Sequence, residues 1–269
     1  MTAREKLDTK FENNFHVCVG LDTDINKIPK HLLSEKDPVL QFNKIIIEST
    51  SEHAACFKIN FAFYEKIGAK GFDVLAQTLE LIPKDIFVIA DAKRGDIGNT
   101  SEMYAVAVFD ELKFDSITLH PYMGFDSLQP FLNYKDKINF ILALTSNKGA
   151  LDFEKQKLED GRFLFQHVIE KANIWNEHKN CGIVFGATKI EELKENIASF
   201  DDLVVLLPGV GAQGGSLEEV ATVFNHHKNN NFLINISRAL LYCDESKSFH
   251  TKVIEQIKTY NQSVFNLVL

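Results

Sequence analysis

Short runs of consecutive apolar and β-branched residues recur along the chain, separated by longer stretches in which apolar positions return every three or four residues. That alternation marks βαβ units, in which parallel strands buried on both faces are linked by amphipathic helices. Eight such runs are read, at 16–21, 56–61, 86–90, 116–120, 140–145, 181–185, 203–207 and 232–236. Their starts lie roughly 30 residues apart, the length of one such unit. The pattern predicts an α/β fold in which a single domain, residues 1–269, forms an eight-stranded parallel (β/α)8 TIM barrel. An open doubly wound sheet is the competing architecture, but no Gly-x-Gly-x-x-Gly follows the first run.

Helix starts are signalled at Asp37-Pro38, Asn99-Thr-Ser-Glu102, Thr188-Lys-Ile-Glu191 and Ser216-Leu-Glu-Glu219. The last two match the capping box, and a proline just inside a start gives up no hydrogen bond there. The polar segment 148–180 after the fifth run is unusually long and is read as an insertion of loop plus helix.

Composition narrows the function. A formal charge of −8, from 29 Lys+Arg against 37 Asp+Glu, leaves no basic surplus for a nucleic-acid backbone, so any phosphate must be bound locally. Cys18, Cys56, Cys181 and Cys243 form no CxxC pair, and the first three lie in apolar runs, as in a reduced protein. The N-terminal residues carry no apolar core of a signal peptide and no run of eighteen apolar residues occurs. A cytoplasmic protein without membrane contact is expected.

In a β/α barrel, ligands bind where the strands end and the following loops begin. Polar residues collected there include Asp22 after the first run, Lys58 and Asn60 in the second, and Asp91-Ala-Lys93-Arg-Gly-Asp96 after the third. The later ends add His120, Thr145-Ser146-Asn147, Pro208-Gly-Val-Gly-Ala-Gln213-Gly-Gly215 and Ser237-Arg238. Side chains alternate along a strand, so Asp91 and Lys93 are expected on one side, within reach of Lys58. A Lys-Asp-Lys cluster can simply be a structural ion pair. The glycine-containing turn that carries Asp96 moves the balance toward a binding loop.

Four glycines within 208–215 let backbone amides approach an anion, and Arg238 supplies a charged fork beside them. Loops after strands seven and eight are the usual phosphate seat of this architecture. His120 reads as a hydrogen-bonded strand end, and His226-His227 and the charged run 191–195 read as solvated helix faces. No spacing suggests a metal site, a serine hydrolase or a P-loop.

Taken together, Phe57-Lys-Ile-Asn60, Asp91-Ala-Lys-Arg-Gly-Asp-Ile-Gly-Asn-Thr100, Thr145-Ser-Asn-Lys-Gly149 and Pro208-Gly-Val-Gly-Ala-Gln-Gly-Gly215 resemble the orotidine 5′-phosphate decarboxylase family, notably its bacterial subgroup with longer chains. The resemblance covers nearly the whole chain. It implies decarboxylation of orotidine 5′-monophosphate to UMP, with no metal or cofactor. Lys93 would then donate a proton to C6, with Asp91 beside the substrate carboxylate, while Lys58 and Asp22 hold ribose hydroxyls and orient the charges. Ser146 would bind the pyrimidine, and Pro208, Gln213 and Arg238 the phosphate. Asp96 and Thr100 would cross a homodimer interface into the neighbouring site. Ser237 departs from the family, in which many members have glycine before the arginine, and segment 148–180 receives no role. Two other readings stay open: a magnesium-dependent decarboxylase or aldol-type synthase acting on a ketose phosphate, and a catalytically silent barrel that binds nucleotide phosphates.

Overall fold

Eight parallel strands pair in chain order and close on themselves: β1 (Val17–Gly20), β2 (Cys56–Asn60), β3 (Phe87–Arg94), β4 (Ser116–Leu119), β5 (Ile138–Leu144), β6 (Cys181–Phe185), β7 (Val204–Leu207) and β8 (Phe232–Ile236). The structure is a computed structural model, and it describes residues 1–186, 190–209 and 216–268. Each expected run is a strand. β3 continues to Arg94 rather than stopping at position 90, and β5 opens at Ile138 rather than at 140.

The helices are α1 (Ala3–Glu12), α2 (Pro38–Thr50), α3 (Ala62–Glu65), α4 (Ala69–Glu80), α5 (Gly98–Val106), α6 (Phe125–Leu132), α7 (Leu164–Trp175), α8 (Ile190–Asn196), α9 (Leu217–His226), α10 (Arg238–Leu241) and α11 (Phe249–Val268). Asp37 caps α2 by accepting from the Leu40 amide at 3.2 Å, with Pro38 in the first turn, and Ser216 caps α9 through the Glu219 amide at 3.3 Å. The start expected at Asn99 lies one residue earlier, where Gly98 turns the chain at φ 51° and no side chain caps the helix. Thr188, the cap read for α8, lies outside the described residues. Among the described residues no helix is long and apolar enough to cross a membrane.

Period-two alternation sorts the strand side chains into two layers. Val17, Val19, Phe57, Ile59, Val88 and Ala90 pack outward against the helices. Cys18, Cys56, Phe87, Ile89, Phe140, Leu206 and Leu233 fill the barrel interior. α1 closes the lower end, where Ala3, Leu7 and Phe11 join the interior cluster. Its start is a capping box: Thr2 accepts from the Glu5 amide at 3.2 Å, and the Glu5 carboxylate accepts from the Thr2 amide at 2.7 Å. With the interior packed from below, the barrel opens toward the strands' C-terminal ends.

Candidate active site

The inward alternation that places Cys56 and Ile89 in the core brings polar residues to the upper layer: Lys58 and Asn60 on β2, Asp91 on β3, Thr118 on β4 and Asn235 on β8. Asn60 stands opposite Asp91 in the β2–β3 register. A cavity of about 200 Å³ opens above them, lined by Asp22, Lys58, Asn60, Asp91 and Asn235 on one side and by Pro208, Gly209, Ser237 and Arg238 on the other.

Asp91 is the hub. Its Oδ2 accepts from Lys58 Nζ at 3.0 Å, and its Oδ1 from Lys93 Nζ at 2.6 Å and from the Thr118 hydroxyl at 3.0 Å. Lys58 also reaches Asp22 Oδ1 at 3.3 Å. Burial works to raise the pKa of Asp91, but the ammonium groups of Lys58 and Lys93 outweigh it and hold the carboxyl well below the usual carboxylate range. Burial likewise works to lower the pKa of Lys58, and the carboxylates of Asp91 and Asp22 reverse it, so this amine stays protonated beyond the ordinary lysine range. Both are therefore charged across neutral pH. The expected convergence of Asp91, Lys93 and Lys58 is observed.

Lys93 reaches the hub by a route that simple alternation does not describe. Its backbone has φ 47°, in the left-handed region, where β3 slips out of register with β4. The side chain lies at the cavity mouth, 51% exposed, with its ammonium turned onto Asp91 rather than into solvent.

The remaining expected residues are distributed around this mouth. Arg238 is the exposed first residue of α10 and, among the described residues, has no carboxylate partner. Pro208 and Gly209 face it, and Gln213 lies outside the described residues. Ser146 follows the end of β5, close against Gly186 after β6, where an added Cβ would meet its amide at 2.9 Å. Asp96 accepts from the Ile97 amide at 2.8 Å, and Thr100 is exposed on α5. Among the described residues no ion pair joins Asp96 to Lys93 of the same chain. Ser237 is accommodated by a glycine elsewhere: a Cβ on Gly20 would lie 2.0 Å from the Ser237 hydroxyl oxygen. His120 is a hydrogen-bonded strand end, accepting from the Tyr122 amide at 3.2 Å.

Four supporting residues escaped the sequence reading. Thr118 bonds Asp91, and counting back two positions from the strand end at His120 would have put it inside the barrel. Tyr64 donates to the Leu21 carbonyl at 3.2 Å and Tyr242 to the Asp22 carbonyl at 3.3 Å, fixing the backbone that presents Asp22. Glu154, in the segment without a role, accepts from the Thr145 amide at 2.7 Å and from its hydroxyl at 2.8 Å, next to Ser146. None of these partners is near in sequence, so no local motif signals them.

Fold and site together define a (β/α)8 barrel with a Lys-Asp-Lys array, Lys58 and Asp91 buried and Lys93 at the mouth, facing across one small cavity an arginine that pairs with no carboxylate among the described residues. Residues 16–248 match the Orotidine 5′-phosphate decarboxylase / HUMPS family, and the chain belongs to it. The chain is 47% identical over 255 residues to the orotidine 5′-phosphate decarboxylase of Porphyromonas gingivalis, covering 94% of this chain and 92% of that protein. It is 49% identical over 252 residues to the protein of the same name from Christiangramia forsetii, covering 93% and 92% respectively. The structure of Leishmania donovani OMP decarboxylase superposes with a TM-score of 0.82 at 34% identity, covering 97% of this chain and 100% of that one. That of Leishmania donovani UMP synthase gives a TM-score of 0.83 at 36% identity, covering 97% of this chain and 57% of the longer one.

Proposed function

We propose that this chain decarboxylates orotidine 5′-monophosphate to UMP, the last step of UMP synthesis, without a metal or cofactor. The observation that carries the reading is Asp91 held ionised between two ammonium groups, in a cavity whose other wall presents Arg238. Family membership supports it. When the C6 carboxylate leaves as CO2, the bonding electron pair stays on C6, where the pyrimidine ring delocalises it poorly. An ammonium already standing there stabilises the charge without reorganisation and supplies the proton. Lys93 takes that role. Its C6 proton is replaced from water, so one substrate and one proton give UMP and CO2.

Lys58 and Asp22 bind ribose hydroxyls in this reading, and Ser146 meets the pyrimidine. Pro208, Gly209 and Arg238 grip the phosphate, with Gln213 assigned to the same end by family resemblance. Binding energy from the phosphate, remote from C6, is then available for orienting the ring. Both oxygens of Asp91 are occupied by ammonium groups, so a divalent cation would have to displace Lys58 or Lys93 to bind there. That favours cofactor-free chemistry over a metal-bound enediolate. The protein acts as a cytoplasmic homodimer in which Asp96 and Thr100 reach the neighbouring site. Beside them Ile97 is 62% and Met103 53% exposed, an apolar face suited to a partner copy.

An absorbance assay with orotidine 5′-monophosphate tests the reading. Turnover is expected to be unchanged by EDTA and to fall about a thousandfold or more in Lys93→Ala, with UMP binding kept within a few-fold. EDTA-sensitive turnover, or a Lys93→Ala variant retaining a tenth of the wild-type rate, would remove the mechanism.

A further inference from the structure

One side chain in the hub remains without a part in this chemistry. Ala90 pairs with Ile117 and Arg94 with Leu119, so Asp91, Ala92 and Lys93 all face the single residue Thr118. A strand that carries extra residues against its partner bulges, and the amides inside the bulge lose their ladder acceptors. At this bulge Lys93 takes its left-handed backbone, a conformation in which a residue with a side chain persists only where its surroundings hold it.

The Thr118 hydroxyl supplies the hold. Its oxygen accepts from the Lys93 amide at 3.0 Å, and its proton goes to Asp91 Oδ1, also at 3.0 Å. The amide can only donate and the ionised carboxylate can only accept, so the direction of both bonds is fixed. One buried hydroxyl, 1% exposed, thus joins the backbone of Lys93 to the carboxylate that carries its ammonium. The neighbours Ile117 and Leu119 are fully buried in the helix-facing layer and anchor β4 independently.

We propose that Thr118 is a positioning residue for the proton donor: it pins the β3 bulge so that the Lys93 ammonium stands on Asp91 at the cavity mouth. The inference rests on the reading of Lys93 as the donor to C6. Thr118 acts through Lys93 and Asp91 and does not itself meet substrate. Removing its hydroxyl frees the bulge while leaving the phosphate and ribose ends of the cavity in place. The loss therefore falls on the chemical step and spares ground-state binding.

Thr118→Val, which keeps the shape and loses the hydroxyl, is expected to lower kcat about ten- to a hundredfold, the scale of a displacement near 1 Å. KM for orotidine 5′-monophosphate and Kd for UMP stay within about threefold. Thr118→Ser, which keeps the hydroxyl, restores kcat to within about threefold of wild type. A crystal structure of Thr118→Val shows Lys93 out of the left-handed region or its Nζ beyond hydrogen-bonding reach of Asp91. Thr118→Ala carries the same expectation if the valine variant does not fold. A Thr118→Val kcat within twofold of wild type overturns the proposal, as does an equal loss in Thr118→Ser, which would mark a packing role. So does a fall in UMP affinity that parallels kcat. If the wild-type protein itself releases no CO2 from orotidine 5′-monophosphate, the functional reading fails separately, and the variant's crystal structure alone decides whether Thr118 holds the bulge.

Discussion

Lys58 is charged in a place where an isolated ammonium could not be. At 4% exposure it has lost most of its water, and it is stable there only because Asp91 and Asp22 stand at 3.0 and 3.3 Å. Removing it leaves Asp91 with Lys93 alone. Lys58→Met is therefore expected to destabilise the fold by about 3 kcal/mol, the usual cost of breaking a buried pair. The sign of the pH dependence follows from the two shifts. The Asp91 pKa is lowered on folding, so its contribution is present above the ordinary value of 3.8 and lost as pH falls below it. The Lys58 pKa is raised, so its contribution is full below the ordinary 10.5 and lost only above it. Urea melts of wild type and Lys58→Met should thus differ by a constant amount from pH 5 to pH 9. A difference that slopes across that window would show that one of the two titrates within it and that the hub is not permanently charged.

At the scale of elements, strands were legible because a strand buried on both faces writes its burial as an uninterrupted apolar run, as at Cys181–Phe185 and Val204–Leu207. The rule erred where charge and structure coincide. β3 continues through Asp91 and Lys93 because their charges satisfy one another inside the barrel mouth, so polarity there does not end the strand. It was silent on the bulge, which depends on register against β4 and has no local signature. The insertion shows the same limit: it holds a short 3-10 turn at Lys148–Leu151 and a bridge from Lys157 to Phe163 before α7. Glu154 ties it to Thr145, and Lys155 pairs with Glu192 of α8. The run 191–195 is accordingly not a wholly solvated face. Because Glu154 holds the residue before Ser146, the segment without a family role would bear on pyrimidine binding under the proposed assignment of Ser146. Glu154→Ala is expected to raise KM about tenfold while changing kcat less than threefold, since it loosens binding without touching the hub. Steady-state kinetics check this, and a selective loss of kcat would instead connect the insertion to the chemical step.

At the scale of the molecule, two residues of the motif stand apart from the chemistry they share a segment with. Lys93 turns inward onto Asp91, whereas the Asp96 carboxylate accepts from the neighbouring Ile97 amide and Thr100 lies exposed on α5. Among the described residues, no hydrogen bond or ion pair joins either of them to the Asp91 hub of the same chain. Ile97 and Met103 beside them are exposed apolar side chains, as are Tyr122 and Phe125 in the segment after β4, on the same C-terminal rim of the barrel as the cavity. In the proposed homodimer, a twofold pairing over that rim would give each copy's Asp96 to the other's site, and that arrangement makes a quantitative prediction. In a mixed dimer of Lys93→Ala and Asp96→Asn chains, one site combines both substitutions. The other unites the intact Lys93 of one chain with the intact Asp96 of its partner. Free exchange of equal amounts makes half the dimers mixed, each with one working site in two, so about a quarter of wild-type turnover should return from two nearly inactive parents. Sites built within single chains would return nothing, because every chain in the mixture lacks one of the two groups. Mass spectrometry of the mixture verifies that exchange has occurred, and a silent mixture with proven exchange would assign Asp96 to its own chain.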